Sequence, residues 1–229
     1  MSTKSTYIII GLLIFISIGV GFALYERLPE QMATHFDIRG EADSFTPKLF
    51  AIFFVPLIGV ILSSLLFFLP RMDPFRENVE KFRPHYNLVV LAILTFLTYL
   101  HLLIIVWNMG YEFNMSRGIV PPLGILFIVI GYALRFAKRN WFMGIRTPWT
   151  LSSDTVWEKT HVLASELFMF SGAISVLAFF APQYSFSLFF YPLVTTVVVT
   201  VLYSFFLYQG ERKERMKSAQ LKEKTPTHE

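Results

Sequence analysis

Apolar residues dominate six long stretches of the chain, at 7–24, 49–69, 86–107, 119–136, 162–181 and 186–207, with polar residues collected between them. A hydrocarbon core of about 30 Å takes roughly 20 helical residues to cross, and each stretch is close to that length. None alternates apolar and polar positions as a membrane strand does. An open strand would also leave its backbone groups unpaired in lipid. The pattern therefore predicts an all-α, polytopic membrane protein with six transmembrane helices. The first stretch follows Lys4 and ends near Gly21-Phe22-Ala23, as a secretory signal does. Its apolar core exceeds the roughly 7–15 residues usual for a signal peptide, so it reads as a retained helix.

The distribution of positive charge orients these helices. Sixteen of the 20 Lys and Arg residues fall at the N-terminus, in the second and fourth loops and in the tail, which share one side of the membrane. The other four are Arg27, Arg39, Lys48 and Arg117. The positive-inside rule then places both termini in the cytoplasm of a multi-pass plasma-membrane protein. Three regions follow. Residues 1–70 form an N-terminal helix pair with an acidic outer loop. Residues 71–208 form a four-helix region whose cytoplasmic loop spans 135–161. Residues 209–229 form a charged cytoplasmic tail, expected to leave the helix near Gly210 and to fray in water.

Composition narrows the chemistry. Only 16% of the residues are charged, against about a quarter in soluble domains, so much of the surface faces lipid. The absence of cysteine excludes disulfides, thiolate metal sites and cysteine nucleophiles. No Ser-His-Asp set, carboxylate pair, phosphate loop or zinc motif is visible, and neither enzymatic activity nor a cofactor is expected.

The first outer loop, 25–48, carries five acids, Glu26, Glu30, Asp37, Glu41 and Asp43, against three bases. Arg39-Gly40 reads as a turn within it. Three readings of this loop stand open: a structural, hydrogen-bonded loop, a peptide-recognition surface, or a metal site using His35, Asp37 and Asp43. One histidine with scattered acids is not ligand spacing.

Two ionisable residues lie at membrane depth. His101 falls on the third helix with Thr95 and Thr98, at a spacing expected to give the three a common inward face. Glu166 falls about one turn inside the fifth helix, where a carboxylate needs a partner. Arg146, Arg135 and His161 are the candidates, and a structural ion pair is the expected arrangement. A small-solute or ion transporter using Glu166 and His101 is the alternative. Such transporters ordinarily show further acids and broken helices near the midplane.

The fourth loop is the most distinctive part of the chain. Trp141, Trp149 and Trp157 are expected at the membrane–water interface, and Gly144 and Pro148 break regular structure. A helix should begin near Asp154, with Thr155 and Glu158 as a capping box, and run unbroken into the fifth span. Trp157 and His161 share a face of that helix, with Ser165 next on it. Two readings follow from the residues: an interfacial anchor of aromatics and bases, or a docking surface for a cytoplasmic partner.

The run Gly144-Ile145-Arg146-Thr147-Pro148-Trp149-Thr150, followed by Trp157 and Thr160-His161, resembles the signature of the SdpI family of membrane immunity proteins. The outer loop, through Leu28-Pro29, His35-Phe36, Gly40, Asp43 and Lys48, resembles a small domain of unknown function that often precedes it. The resemblance implies a multi-spanning protein that protects its cell from a secreted, membrane-active peptide toxin. It also implies a second role, in which the toxin-bound protein holds a small helix-turn-helix repressor at the membrane. On this reading His35, Asp37, Gly40 and Asp43 face the toxin. Arg146, Trp149, Trp157 and His161 face the cytoplasmic partner. The lipid bilayer is the remaining partner, and no direct contact with nucleic acid is expected.

Overall fold

The computed structural model describes residues 2–224. Among these, six helices are long and apolar enough to cross a membrane. Helix α1 spans Thr3–Ala23, and Ser2 caps it by accepting from the Ser5 amide. Strands β1 (Gln31–Phe36) and β2 (Ala42–Pro47) form an antiparallel hairpin and lead directly into α2 (Lys48–Met72). A short helix α3 (Arg76–Lys81) precedes α4 (Arg83–Asn108), and α5 spans Met115–Leu134. The one-turn helix α6 (Pro148–Ser152) precedes α7 (Asp154–Leu177) and α8 (Ser185–Lys224).

The first outer loop is thus a hairpin, and the fold is mostly rather than wholly helical. The strands form because the loop's backbone can pair with itself around a side-chain-supported turn. Both Arg39 N–H and Glu41 N–H donate to Asp37 Oδ1, at 2.8 and 3.0 Å, an aspartate turn of the usual kind. Register shifts between Ala33, His35 and Phe36 bend β1. The turn expected at Arg39-Gly40 is present, with Gly40 at φ +80°.

The six long helices form two groups of three, α1/α2/α4 and α5/α7/α8, joined where α4 meets α5. Among helix pairs, α5 and α7 are the most extensively packed. They approach closely at Gly124 and Gly172, where a Cβ on either residue would lie 2.5 Å from the other's carbonyl oxygen. Small residues let backbones approach in lipid, where dispersion contacts replace the hydrophobic effect as the source of association. Polar contacts support the neighbouring pair: the Ser171 and Thr196 hydroxyls join α7 to α8 at 2.8 Å.

The last helix does not end at Gly210 but continues 14 residues further, to Lys224. Good helix formers, a Glu211–Arg215 pair and a bond from the Ser153 hydroxyl to Glu211 at 2.6 Å favour that continuation. The expected fraying at 225–229 lies outside the described residues.

Candidate functional site

The fourth loop folds as a cap across the ends of α4, α7 and α8. Asn140 organises its first turn. Its Oδ1 accepts from the amides of Phe142 and Met143, and its Nδ2 donates to the carbonyls of Lys138 and Met143. All four contacts are local, so one buried side chain satisfies backbone groups that a tight loop would otherwise leave unpaired. The second loop holds this turn in place. Asp73 is buried, accepting from Phe75 N–H at 2.7 Å and from Trp141 N–H at 2.9 Å. Asn78 donates to the Arg139 carbonyl at 3.0 Å. Arg139 in turn donates to the Leu151 carbonyl, pairs with Asp154 at 2.9 Å and lies over the Phe75 ring.

The run from Gly144 to Thr150 docks on α7. His161 donates from Nδ1 to the Trp157 carbonyl at 2.8 Å, which leaves Nε2 free to accept from the Ile145 amide at 3.0 Å. The imidazole is therefore neutral, with a fixed tautomer and both nitrogens in use. It stacks on the Trp157 ring at 4.0 Å between centroids, and Trp157 Nε1 donates to the Ala137 carbonyl at 2.7 Å. Gly144 crosses directly over the imidazole with φ +120°. A Cβ there would lie 2.2 Å from His161 Nε2, so the position requires glycine. Thr147, followed by Pro148 at the first helical position, starts α6 with a reciprocal cap: Thr150 N–H donates to Thr147 Oγ1, and Thr147 N–H to Thr150 Oγ1.

Several expectations change here. Trp157 and His161 are each only 1% exposed, so they hold the cap together and offer no surface to a partner. Burial of the Trp157 ring also removes it from the membrane interface. Trp141 is 48% exposed, and Trp149 is partly buried against Phe205. Arg146 is exposed, with Nη1 donating to the Trp141 carbonyl. The cap of α7 is Ser153 rather than Thr155, because Ser153 Oγ accepts from Val156 N–H at 3.3 Å. Glu158 pairs instead with Lys138 at 2.6 Å. Glu166 lies on the exposed outer surface of α7 and has no ion-pair partner among the described residues. None of Arg146, Arg135 and His161 pairs with it: Glu166 is on the exposed side of α7, whereas His161 is buried.

His101 is fully buried, beside the Ser17 backbone and against Gly21 of α1. Thr95 is exposed and Thr98 intermediate. Six residues at 3.6 per turn do not return to one face, so the common face expected for these three is not formed.

At the opposite end, the hairpin is anchored rather than free. Asn108 donates to the Ala33 carbonyl at 2.9 Å and accepts from the Ala33 amide at 2.8 Å. Lys48, buried under the hairpin, pairs with Glu30 at 2.8 Å and lies over the Tyr25 ring. The turn sits on the start of α5: the Gly40 carbonyl accepts from Met115 N–H, and Asn114 donates to the Arg39 carbonyl. His35 Nδ1 donates to Asp43 Oδ1 at 2.6 Å across the strands. Asp37 is drawn into the turn, where the Glu41 amide, then the Arg39 guanidinium, hold its carboxyl below the usual carboxylate range. The structure thus brings His35 and Asp43 together and separates Asp37 from them. No grouping of three potential ligands occurs among the described residues.

Asp73, Asn140 and Asn108 carry much of this architecture and do not stand out in the sequence, and Thr147 stands out only as part of the 144–150 run, not as a helix cap. Asp-x-Phe at 73–75 and Thr-Pro at 147–148 do carry local signals, an aspartate turn and a helix start with proline at the first position. The distant partner of Asn108, Ala33, leaves no such trace.

The family model described as the SdpI/YfhL protein family matches residues 137–207, from the cap through α7 into α8. A domain of unknown function, DUF1648, matches residues 12–60, which include the hairpin. The chain is similar to the immunity protein SdpI of Bacillus subtilis (strain 168), with 27% identity over 199 residues. That alignment covers 86% of this chain and 93% of the relative. No solved structure matches it.

Proposed function

Because the chain belongs to the SdpI/YfhL family and carries an N-terminal DUF1648 domain, we propose that it is a membrane immunity protein. It protects its cell from a secreted antimicrobial peptide. The observation that carries this reading is the similarity to an immunity protein over 86% of the chain, spanning both the hairpin and the cap. Both termini lie in the cytoplasm, as the charge bias argues. The hairpin then faces outward, where a secreted peptide arrives, and the cap faces the cell interior.

The cap is suited to binding rather than to chemistry. Its interior is closed by the Trp157–His161 stack, and its exposed rim offers Arg146, Trp141 and Pro148. That rim is the surface for a small helix-turn-helix repressor, with Trp157 and His161 positioning it from beneath. The peptide reaches the hairpin around His35 and Asp43, which are exposed, whereas Gly40 is buried against the start of α5. A transport route loses its basis, since Glu166 lies on the outer surface of α7 and His101 is buried among α1, α2 and α4.

Killing curves test the reading. Expression in a sensitive host should raise survival under a secreted peptide toxin. Arg146→Ala should leave that survival intact while releasing a fluorescent repressor from the membrane. Unchanged killing across a panel of such peptides would contradict the proposal.

A further inference from the structure

An open groove of about 540 Å³ lies between the hairpin and the start of α5. Three aromatic side chains, Phe45, Trp107 and Phe113, line it together with the carboxylates of Glu41 and Glu112 and the amide of Asn114. No lysine or arginine lines it. Phe45 is 55% exposed, a large apolar ring held in the open by the strand that carries it. Glu112 is exposed and has no ion-pair partner among the described residues. Glu41 meets only the distal contact of Arg39 at 3.6 Å, on a side chain already bound to Asp37.

We propose that this groove recognises a lysine or arginine side chain, flanked by apolar residues, of an extracellular peptide. The inference rests on the immunity reading and names the chemistry of its outer site. Three features converge on it. Aromatic faces attract a cation through their quadrupole, more strongly where water is partly excluded. Two carboxylates, Glu41 from the hairpin and Glu112 from the segment between α4 and α5, supply the charge partners. The loops of this end hold six acids, Glu26, Glu30, Asp37, Glu41, Asp43 and Glu112, against four bases, so the surrounding field draws a cation inward. The apolar walls accept the neighbouring residues of an amphipathic chain. The floor is also mechanically significant. Gly40 and Asn114, which line it, tie the hairpin turn to the first turn of α5, and α5 packs on α7 beneath the cap.

The test uses the full chain in phosphatidylcholine nanodiscs, titrated with the tripeptide Lys-Leu-Lys and, as control, Glu-Leu-Glu. Tryptophan emission reports the groove, since Trp107 lies there and the other three tryptophans lie in or beside the cap. A saturable change with Lys-Leu-Lys alone is expected, absent in Trp107→Phe and weakened about tenfold or more in Glu41→Gln/Glu112→Gln, the loss of roughly 1.4 kcal/mol. An equal response to Glu-Leu-Glu, or an unchanged response in the double variant, overturns the proposal. A response to calcium alone that the double variant abolishes, without one to the tripeptide, also overturns it in favour of a metal site. In cells, wild-type protection with equal protection by the double variant overturns the groove and leaves immunity standing. Failure of the wild type to protect removes the immunity reading instead, while the titration still decides the groove.

Discussion

The Ile145 amide donates to Nε2 of His161 across 3.0 Å, and this bond fixes the 144–150 loop to the helix that follows it. It links residues that the sequence separates by a turn, a short helix and a cap. His161 can accept there only while it is neutral and its other nitrogen donates to the Trp157 carbonyl. Gly144 completes the arrangement by leaving room for the ring.

Gly144→Ala should therefore be the most damaging small substitution in the cap. The new methyl group meets Nε2 at 2.2 Å on a backbone with φ +120°. Backbone strain alone costs on the order of 1–3 kcal/mol, and loss of the Ile145 bond adds to it. Thermal unfolding in detergent should show a clear drop in midpoint. An unchanged midpoint would mean that the loop is not held against His161.

His161→Phe and Trp157→Phe separate stacking from hydrogen bonding. His161→Phe keeps an aromatic ring on Trp157 but leaves the part-buried Ile145 amide without its partner, a cost of about 1 kcal/mol. Trp157→Phe loses the bond to the Ala137 carbonyl, while Trp157→Ala should cost about 3–5 kcal/mol through the cavity it opens. Equal effects of the two Trp157 variants in unfolding assays would contradict a packing role for that ring.

Hairpin stability should depend on acid through Asp37. Its folded pKa lies below the ordinary 3.8 because the Glu41 amide and the Arg39 guanidinium favour the carboxylate. The contribution is thus fully present above that ordinary value and is lost as pH falls through the depressed folded value. Protease cleavage at the turn should rise only in strongly acidic buffer. Asp37→Asn should abolish the dependence, and a transition near neutral pH would point to another group.

How much of this the sequence disclosed depends on the range of each interaction. The six spans follow from apolar run length, which the lipid imposes directly. The turn at Arg39-Gly40 follows from local chemistry. The hairpin flanking it was hidden, because its stability comes from distant groups: Asn108 bonding Ala33, and Lys48 buried beneath the hairpin and over the Tyr25 ring. The motif at 144–161 was visible as unusual composition, but burial reversed the meaning of two of its residues. Trp157 and His161 look like surface chemistry in one dimension and are core once Asp73 and Asn140 close the loop over them. Glu166 likewise needs the helix rotation, which spacing from the cap does not supply.

Glu166→Gln should leave the fold intact, since no ion pair among the described residues is lost. Removing a charge from an outer helix surface at membrane depth should raise or preserve the unfolding midpoint. A marked fall would reveal a partner for the carboxylate, such as a second membrane helix.

The central claim, protection against a secreted peptide, is tested most directly by a dose–response of killing in a sensitive host carrying the wild-type chain or an empty vector. The wild type should shift the killing concentration upward by about tenfold or more, and Gly144→Ala should reduce that shift in proportion to folded protein in the membrane. Superimposable curves for wild type and vector, with the protein present in the membrane, would contradict the account.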